Sequence, residues 1–182
     1  MTTRWFRLFL TFFMSFIRQK IFVTDTSTLS FRVWPFDADL KYMNNSSFWT
    51  IAEIGVMDLY LRSGALKICR KNQWLPLMTS QKMVFRRPLK RFMKFQLETR
   101  IIYWDERTIY FNHIFLKNGK LIANCFIDVV LVSKNGKIAP QKIMAELGVK
   151  SKPPYNDIIR LSNNLNRFLL HEIEIPKHPH NL

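Results

Sequence analysis

Apolar and polar positions follow three regimes along the chain. From Asn45 to Gly64 apolar residues surround a helical projection. Phe48, Ala52, Gly55 and Leu59 line one face, Ile51, Ile54 and Leu61 another, and Trp49, Val56 and Tyr60 a third; only Glu53, Asp58 and Arg62 are charged. A helix without a polar face has to be enclosed. Asn44, Asn45 or Ser46 suits its N-cap, because each side chain can accept from an orphan backbone N–H. Gly64 suits the left-handed position that ends a helix. Downstream the period drops to two. Phe95, Leu97, Thr99, Ile101 and Tyr103 alternate with Lys94, Gln96, Glu98 and Arg100, which predicts a half-buried strand over Phe92–Tyr103. Thr108–Lys117 is the next strand and Asn118-Gly119 a hairpin turn. Leu121–Ser133, almost continuously apolar and β-branched, is a central strand ended by Asn135-Gly136. Three long strands joined by tight turns predict an antiparallel meander.

The third regime is N-terminal. Over residues 4–18, Arg7, Thr11, Ser15 and Arg18 form one narrow polar stripe on a helix, and Trp5, Phe6, Phe9, Phe12, Phe13, Phe16 and Ile17 form a wide apolar face. The apolar run is shorter than the ~20 residues needed to span a bilayer. Flanked by Arg4, Arg18 and Lys20, it has the pattern of a helix lying on an anionic membrane surface through residues 4–20. Docking on its own domain or on a second copy, or a signal anchor, are the alternatives.

The remaining elements are shorter. Residues 24–28 read as a polar linker, and Ser30–Trp34 alternates as a first strand ended by Pro35. Residues 65–80 are expected to be irregular, with a short strand over Gln81–Arg86. A short helix is expected over 140–148, a linker over 150–154, an amphipathic helix over Tyr155–Glu172, and a loose tail carrying His178 and His180. The resulting domain organisation is an N-terminal amphipathic helix (1–23), one α+β domain (24–149), and a C-terminal helix with tail (150–182).

Composition adds a charge argument. Lys and Arg number 28 against 13 Asp and Glu, a net charge of +15, which calls for an anionic partner. Nucleic acid is disfavoured, because the aromatics fit core positions rather than a surface stacking platform. Cys69 and Cys125 provide neither a disulfide framework nor metal spacing and read as small core residues. That fits a reducing, cytoplasmic setting, peripheral at a membrane. Glycine-rich phosphate loops, HExxH and GxSxG are absent from the sequence.

A first strand, one very apolar helix and a long antiparallel meander are all satisfied by a sheet curled around the helix. FRVWPFDAD, then MNN, the aromatic Phe48 and the helix ending DLYLRSG resemble the thioesterase branch of the hotdog superfamily, which includes 4-hydroxybenzoyl-CoA thioesterase-like and acyl-CoA thioesterase-like proteins. VFRRPLKRFMKFQLETRIIYWDERTIYF and NGKLIANCFIDVVLV resemble the same branch, over roughly residues 29–148. The resemblance implies a hotdog fold and a homodimer or tetramer. Acyl-CoA or acyl-carrier-protein thioesters would bind at the dimer interface, with Leu121–Ser133 or its neighbours supplying the joining edge.

Thioester hydrolysis needs a carboxylate to activate water or attack the carbonyl, and donors for the developing oxyanion. Orphan N–H groups at a buried helix start are suited to the second task. Asp37 and Asp39 stand just ahead of Asn44, Asn45, Ser46 and Ser47, an arrangement that calls for no metal or cofactor. In the family the second aspartate of this pair is a common catalytic carboxylate, here Asp39; other members place it on the central helix, here Glu53. The bland alternatives are a loop carboxylate bonding local backbone for Asp39, and an ion pair with Arg62 or Arg100 for Glu53. Arg86 and Arg87, within a cluster that includes Lys90, Arg91 and Lys94, would meet coenzyme A phosphates, or else keep a strand edge solvated. The loop is one residue shorter than the family pattern. Tyr42 stands where relatives carry a histidine, and Val56 follows Gly55 where many carry arginine. His113, on a strand, is either a spatial substitute for that histidine or a core residue. The second functional reading is a catalytically weak protein that binds acyl thioesters or acts as a membrane-associated scaffold.

Overall fold

The computed structural model describes residue 9, residues 11–15 and residues 17–153. The helix and tail expected over 155–182 lie outside these residues. Strand β1 (Ser27–Arg32) leads through a 3-10 turn (Pro35–Asp37) into a two-residue hairpin, β2 (Ala38–Asp39) and β3 (Tyr42–Met43). Helix α1 (Asn45–Ser63) follows, then α2 (Ala65–Asn72), β4 (Leu75–Phe85), β5 (Lys94–Trp104), β6 (Thr108–Lys117), β7 (Lys120–Ser133), β8 (Gly136–Ile138) and α3 (Pro140–Glu146). The main sheet is antiparallel in the order β1-β5-β6-β7-β4, with β8 on β7. Its curled face holds α1, and this is the hotdog arrangement.

Enclosure of α1 is close to complete, since no residue from Ser47 to Ser63 is exposed. Its Asn44 cap accepts from the Ser47 N–H at 2.8 Å, and Gly64 ends it at φ 82°. Gly55 marks the tightest approach to the sheet. A Cβ there would lie 2.2 Å from Thr99 Oγ1 and 2.7 Å from Leu97 Cδ2, so only glycine lets the helix seat on β5. Phe48 packs edge-on to Phe115 (ring centroids 5.1 Å), and Phe115 stacks on Phe95 at 6.1 Å, carrying the helix packing across β6 and β5.

Three expectations change. Residues 65–80 are not irregular: α2 buries Ala65 and Cys69, one helical turn apart, and turns Lys67, Arg70 and Lys71 away from the core. The strand expected from Gln81 begins instead at Leu75. It is an outer strand, so Pro76 is tolerated and no alternation marks it. The polar stretch 24–28 contributes Ser27 and Thr28 to β1, paired with Thr99 and Glu98. As for the joining edge, β7 is flanked by β6 and β4 along its length and has none free. Among the described residues its neighbour β4 pairs with β7 alone.

The described N-terminal residues 11–15 are helical, and their polar side turns inward. Thr11 and Ser15 are buried, whereas Phe9, Phe12, Phe13 and Ile17 are exposed. The anchor is Asp58 of α1, fully buried. Its carboxylate accepts from Ser27 Oγ at 2.6 Å and from Arg62 Nη1 at 3.2 Å, and faces Arg18 Nη1 at 3.5 Å. Arg62 Nε also donates to the Gln19 carbonyl at 3.0 Å. No helix among the described residues is long and apolar enough to cross a membrane.

Candidate functional site

The β2–β3 hairpin and the start of α1 share an open groove of about 540 Å³. Asp39, Tyr42, Met43, Asn44, Asn45 and Ser46 line it. Asp39 and Tyr42 face each other across the hairpin, which turns through Leu40 at φ 51°. The helix start is only partly satisfied. Asn44 N–H donates to the Asp37 carbonyl at 2.8 Å, and Ser47 N–H to Asn44 Oδ1 at 2.8 Å. Ser46 Oγ donates to the same Oδ1 at 2.9 Å. Among the described residues the backbone N–H groups of Asn45 and Ser46 have no partner. They carry the positive end of the helix dipole.

A second opening of about 320 Å³ shares Met43 and Asn45 with the first and adds Phe48, Phe85, Arg86, Arg87 and Pro88. Phe48 and Phe85 meet edge to face at 5.2 Å and form its apolar floor. Arg87 is fixed by donating from Nη1 to the Leu121 carbonyl at 2.7 Å. The structure thus gathers Asp39, Tyr42, Asn44, Asn45, Ser46, Arg86 and Arg87 around adjoining openings. Phe85 and Phe48 were not expected as lining. The sequence signal for Phe85 is its place at the end of a strand, just before Arg86-Arg87-Pro88.

Other expected residues lie elsewhere. Asp37 is buried, its Oδ2 accepting from the Trp34 N–H at 2.8 Å, and it shapes the loop that presents Asp39. Ser47 is buried under its cap. Glu53 is half-buried about 12 Å along the helix from Asn45, outside the lining of either opening. His113 is a core residue. Its Nδ1 lies 3.0 Å from Thr99 Oγ1, its ring stacks on Phe111, and burial pushes its pKa down to about 3. Burial also raises the Cys69 thiol to about 11 and the Cys125 thiol to about 12, which keeps both protonated and poor nucleophiles.

A family profile described as the thioesterase-like superfamily matches residues 33–156. Protein THEM6 of Drosophila melanogaster is 24% identical over 119 residues, 64% of this chain and 60% of that protein. The chain therefore matches less than two thirds of that relative's own length. A Staphylococcus aureus protein solved in complex with CoA superposes with a TM-score of 0.61 at 12% identity, covering 76% of this chain and 92% of the other. The 1,4-dihydroxy-2-naphthoyl-CoA thioesterase of Synechocystis gives 0.59 at 11% identity, covering 68% and 95%. On the profile match, which takes in the hairpin, α1 and the whole meander, this chain belongs to the thioesterase-like superfamily.

Proposed function

We propose that this protein hydrolyses a fatty acyl thioester, of coenzyme A or of an acyl carrier protein, to the free acid and the thiol. The observation that carries the reading is the shared groove. Asp39 opens onto the same space as the two unpartnered N–H groups at the start of α1. Asp39 takes a proton from water as the water adds to the thioester carbonyl. The Asn45 and Ser46 N–H groups hold the oxyanion that forms, and its collapse expels the thiolate, which leaves with a proton. The Phe48–Phe85 floor receives apolar substrate, and Arg86 and Arg87 meet phosphate. Tyr42 occupies the histidine position of the family pattern and orients the substrate.

The test is turnover of an acyl-CoA chain-length series by the purified protein and by Asp39→Asn. Turnover is expected to fall about a hundredfold or more in the variant, with acyl-CoA binding retained. Glu53→Gln is expected to change it far less. Tyr42 in place of histidine favours the second reading, an acyl-thioester binder with little catalysis. Tight binding without turnover in the unmodified protein would establish that reading.

Two features of assembly belong to the same proposal. The protein forms a homodimer through β4, an outer strand with Leu75, Leu77, Met78 and Val84 exposed. It also contacts membranes through the outward Phe9, Phe12, Phe13 and Ile17 of the N-terminal segment, which Asp58 holds in place by its polar side.

A further inference from the structure

A second surface, beside the groove, carries exposed apolar side chains. The loop after β1 and the loop before β5 are knitted together by main-chain bonds. Phe92 N–H donates to the Val33 carbonyl at 2.7 Å, Val33 N–H to Met93 O at 3.0 Å, Arg91 N–H to Lys41 O at 3.1 Å and Met43 N–H to Leu89 O at 2.8 Å. Val33, Met43 and Leu89 fill the inside of this platform. Its outside presents Leu40 at 86% exposure, Phe92 at 55%, Phe36 at 54% and Trp34 at 46%.

The backbone makes this choice of residues costly. Leu40 sits at φ 51° and Phe92 at φ 65°, both left-handed. Glycine or asparagine adopts that conformation cheaply; a large apolar residue does not. Neither side chain recovers the cost by burial, so folding does not explain their presence at the loop tips. Around them stand cations. Residues 88–94 hold Lys90, Arg91 and Lys94 and no carboxylate, and Arg32, the last residue of β1, and Lys41 extend the collar, all exposed; Arg32 Nη1 also donates to the Phe92 carbonyl at 3.0 Å. Of the carboxylates in the first loop, Asp37 is buried and Asp39 lines the groove.

We propose that this platform docks on the surface of an anionic phospholipid bilayer, with Leu40, Phe92 and the Trp34–Phe36 pair among the headgroups and the cations against lipid phosphate. Convex apolar tips inside a basic collar match an interface that yields to insertion and carries negative charge. An acidic protein would satisfy the cations but leave the protruding tips without a complementary hollow. Nucleic acid would need open ring faces, whereas Trp34 and Phe36 stack on each other at 6.4 Å. Leu40 adjoins Asp39 in the hairpin, so the groove would open at the bilayer, where long acyl thioesters concentrate. That last step rests on the hydrolytic reading; the docking does not.

The experiment uses the full chain with vesicles of phosphatidylcholine, with and without phosphatidylserine, and no substrate. Leu40→Asn combined with Phe92→Asn suits the left-handed backbone, so the fold is retained. It is expected to weaken binding to phosphatidylserine vesicles about tenfold or more. A second measurement separates this surface from the N-terminal one. Emission assigned to Trp34, by difference from Trp34→Phe, is expected to be quenched by brominated phosphatidylcholine in the vesicles. Unchanged vesicle affinity in the double variant, or an unquenched Trp34, overturns the proposal. So does a variant that alters only self-association or only binding to an acidic carrier protein, since the platform then serves a protein contact. Loss of Asp39-dependent turnover with docking intact would touch the catalytic reading alone.

Discussion

His113 shows how one buried residue can govern the response of the fold to acid. Burial holds its folded pKa at about 3, against 6.5 for the ordinary side chain. The folded protein keeps the ring neutral while the unfolded chain takes up a proton below 6.5. Its contribution is therefore complete above pH 6.5 and is lost as pH falls toward 3, at up to about 1.4 kcal/mol per unit. Urea unfolding across that range should show this slope, and His113→Gln should remove close to one proton from it. Asn44 governs a different property. It caps α1 and sets the direction of the free Asn45 and Ser46 N–H groups. Asn44→Ala should cost about 1 kcal/mol of stability. It should also lower kcat tenfold or more with KM little changed, if those N–H groups meet charge only in the transition state. Asn44→Ser, which retains a cap, should restore most of both. An alanine that lowers stability but leaves kcat unchanged would remove the oxyanion role.

Elements differ in how plainly the sequence announces them. The strands β5, β6 and β7 are legible because each buries one face or both, and burial leaves a period in the residues. Helix α1 is legible because Asn44 and Gly64 mark its ends. Strand β4 is not, since an outer strand with side chains exposed along its length has no reason to alternate, and Pro76 adds a false stop. Helix α2 is too short for more than one inward turn, Ala65 and Cys69, to register. The groove divides in the same way. Asp39 and the helix start are neighbours in sequence and could be paired by reading, and Arg86 and Arg87 are legible by their charge, whereas Phe85, at the end of a strand about forty residues on, joins them only through tertiary packing. Over the described residues 11–15 the polar and apolar positions are legible, but not which of them turn inward. That depends on Asp58, buried in α1 and open to Arg18. Substitution of Phe12 and Phe13 by serine should release the protein from a membrane fraction and leave the urea midpoint almost unchanged, because both rings are exposed. Deletion of the segment is a poorer test, since it strips Arg18 from a buried carboxylate. Unchanged fractionation of the serine variant would exclude the segment as a membrane contact.

At the scale of the whole molecule, the outer edge at β4 makes assembly part of the fold problem. Strand edges bearing exposed apolar residues are protected by pairing. Leu77→Lys with Val84→Lys should yield a monomer by sedimentation with its thermal transition preserved. Turnover should fall with the dimer if the partner completes the acyl site. A double variant that sediments like the unmodified protein would place the contact elsewhere. The enclosure of α1 has a further consequence, and it concerns synthesis. The helix is complete at Ser63, but the strands that cover it run from Lys94 to Ser133, and β1 waits for β5 to pair at all. During translation an unusually greasy helix leaves the ribosome with no sheet to enter, and its closing contacts are between distant parts of the chain. Such topologies fold slowly and expose sticky surface while they wait. Until β7 has emerged, the same residues that make the finished core secure are the ones most at risk, so aggregation is expected to fall on the unfinished chain rather than on the closed domain.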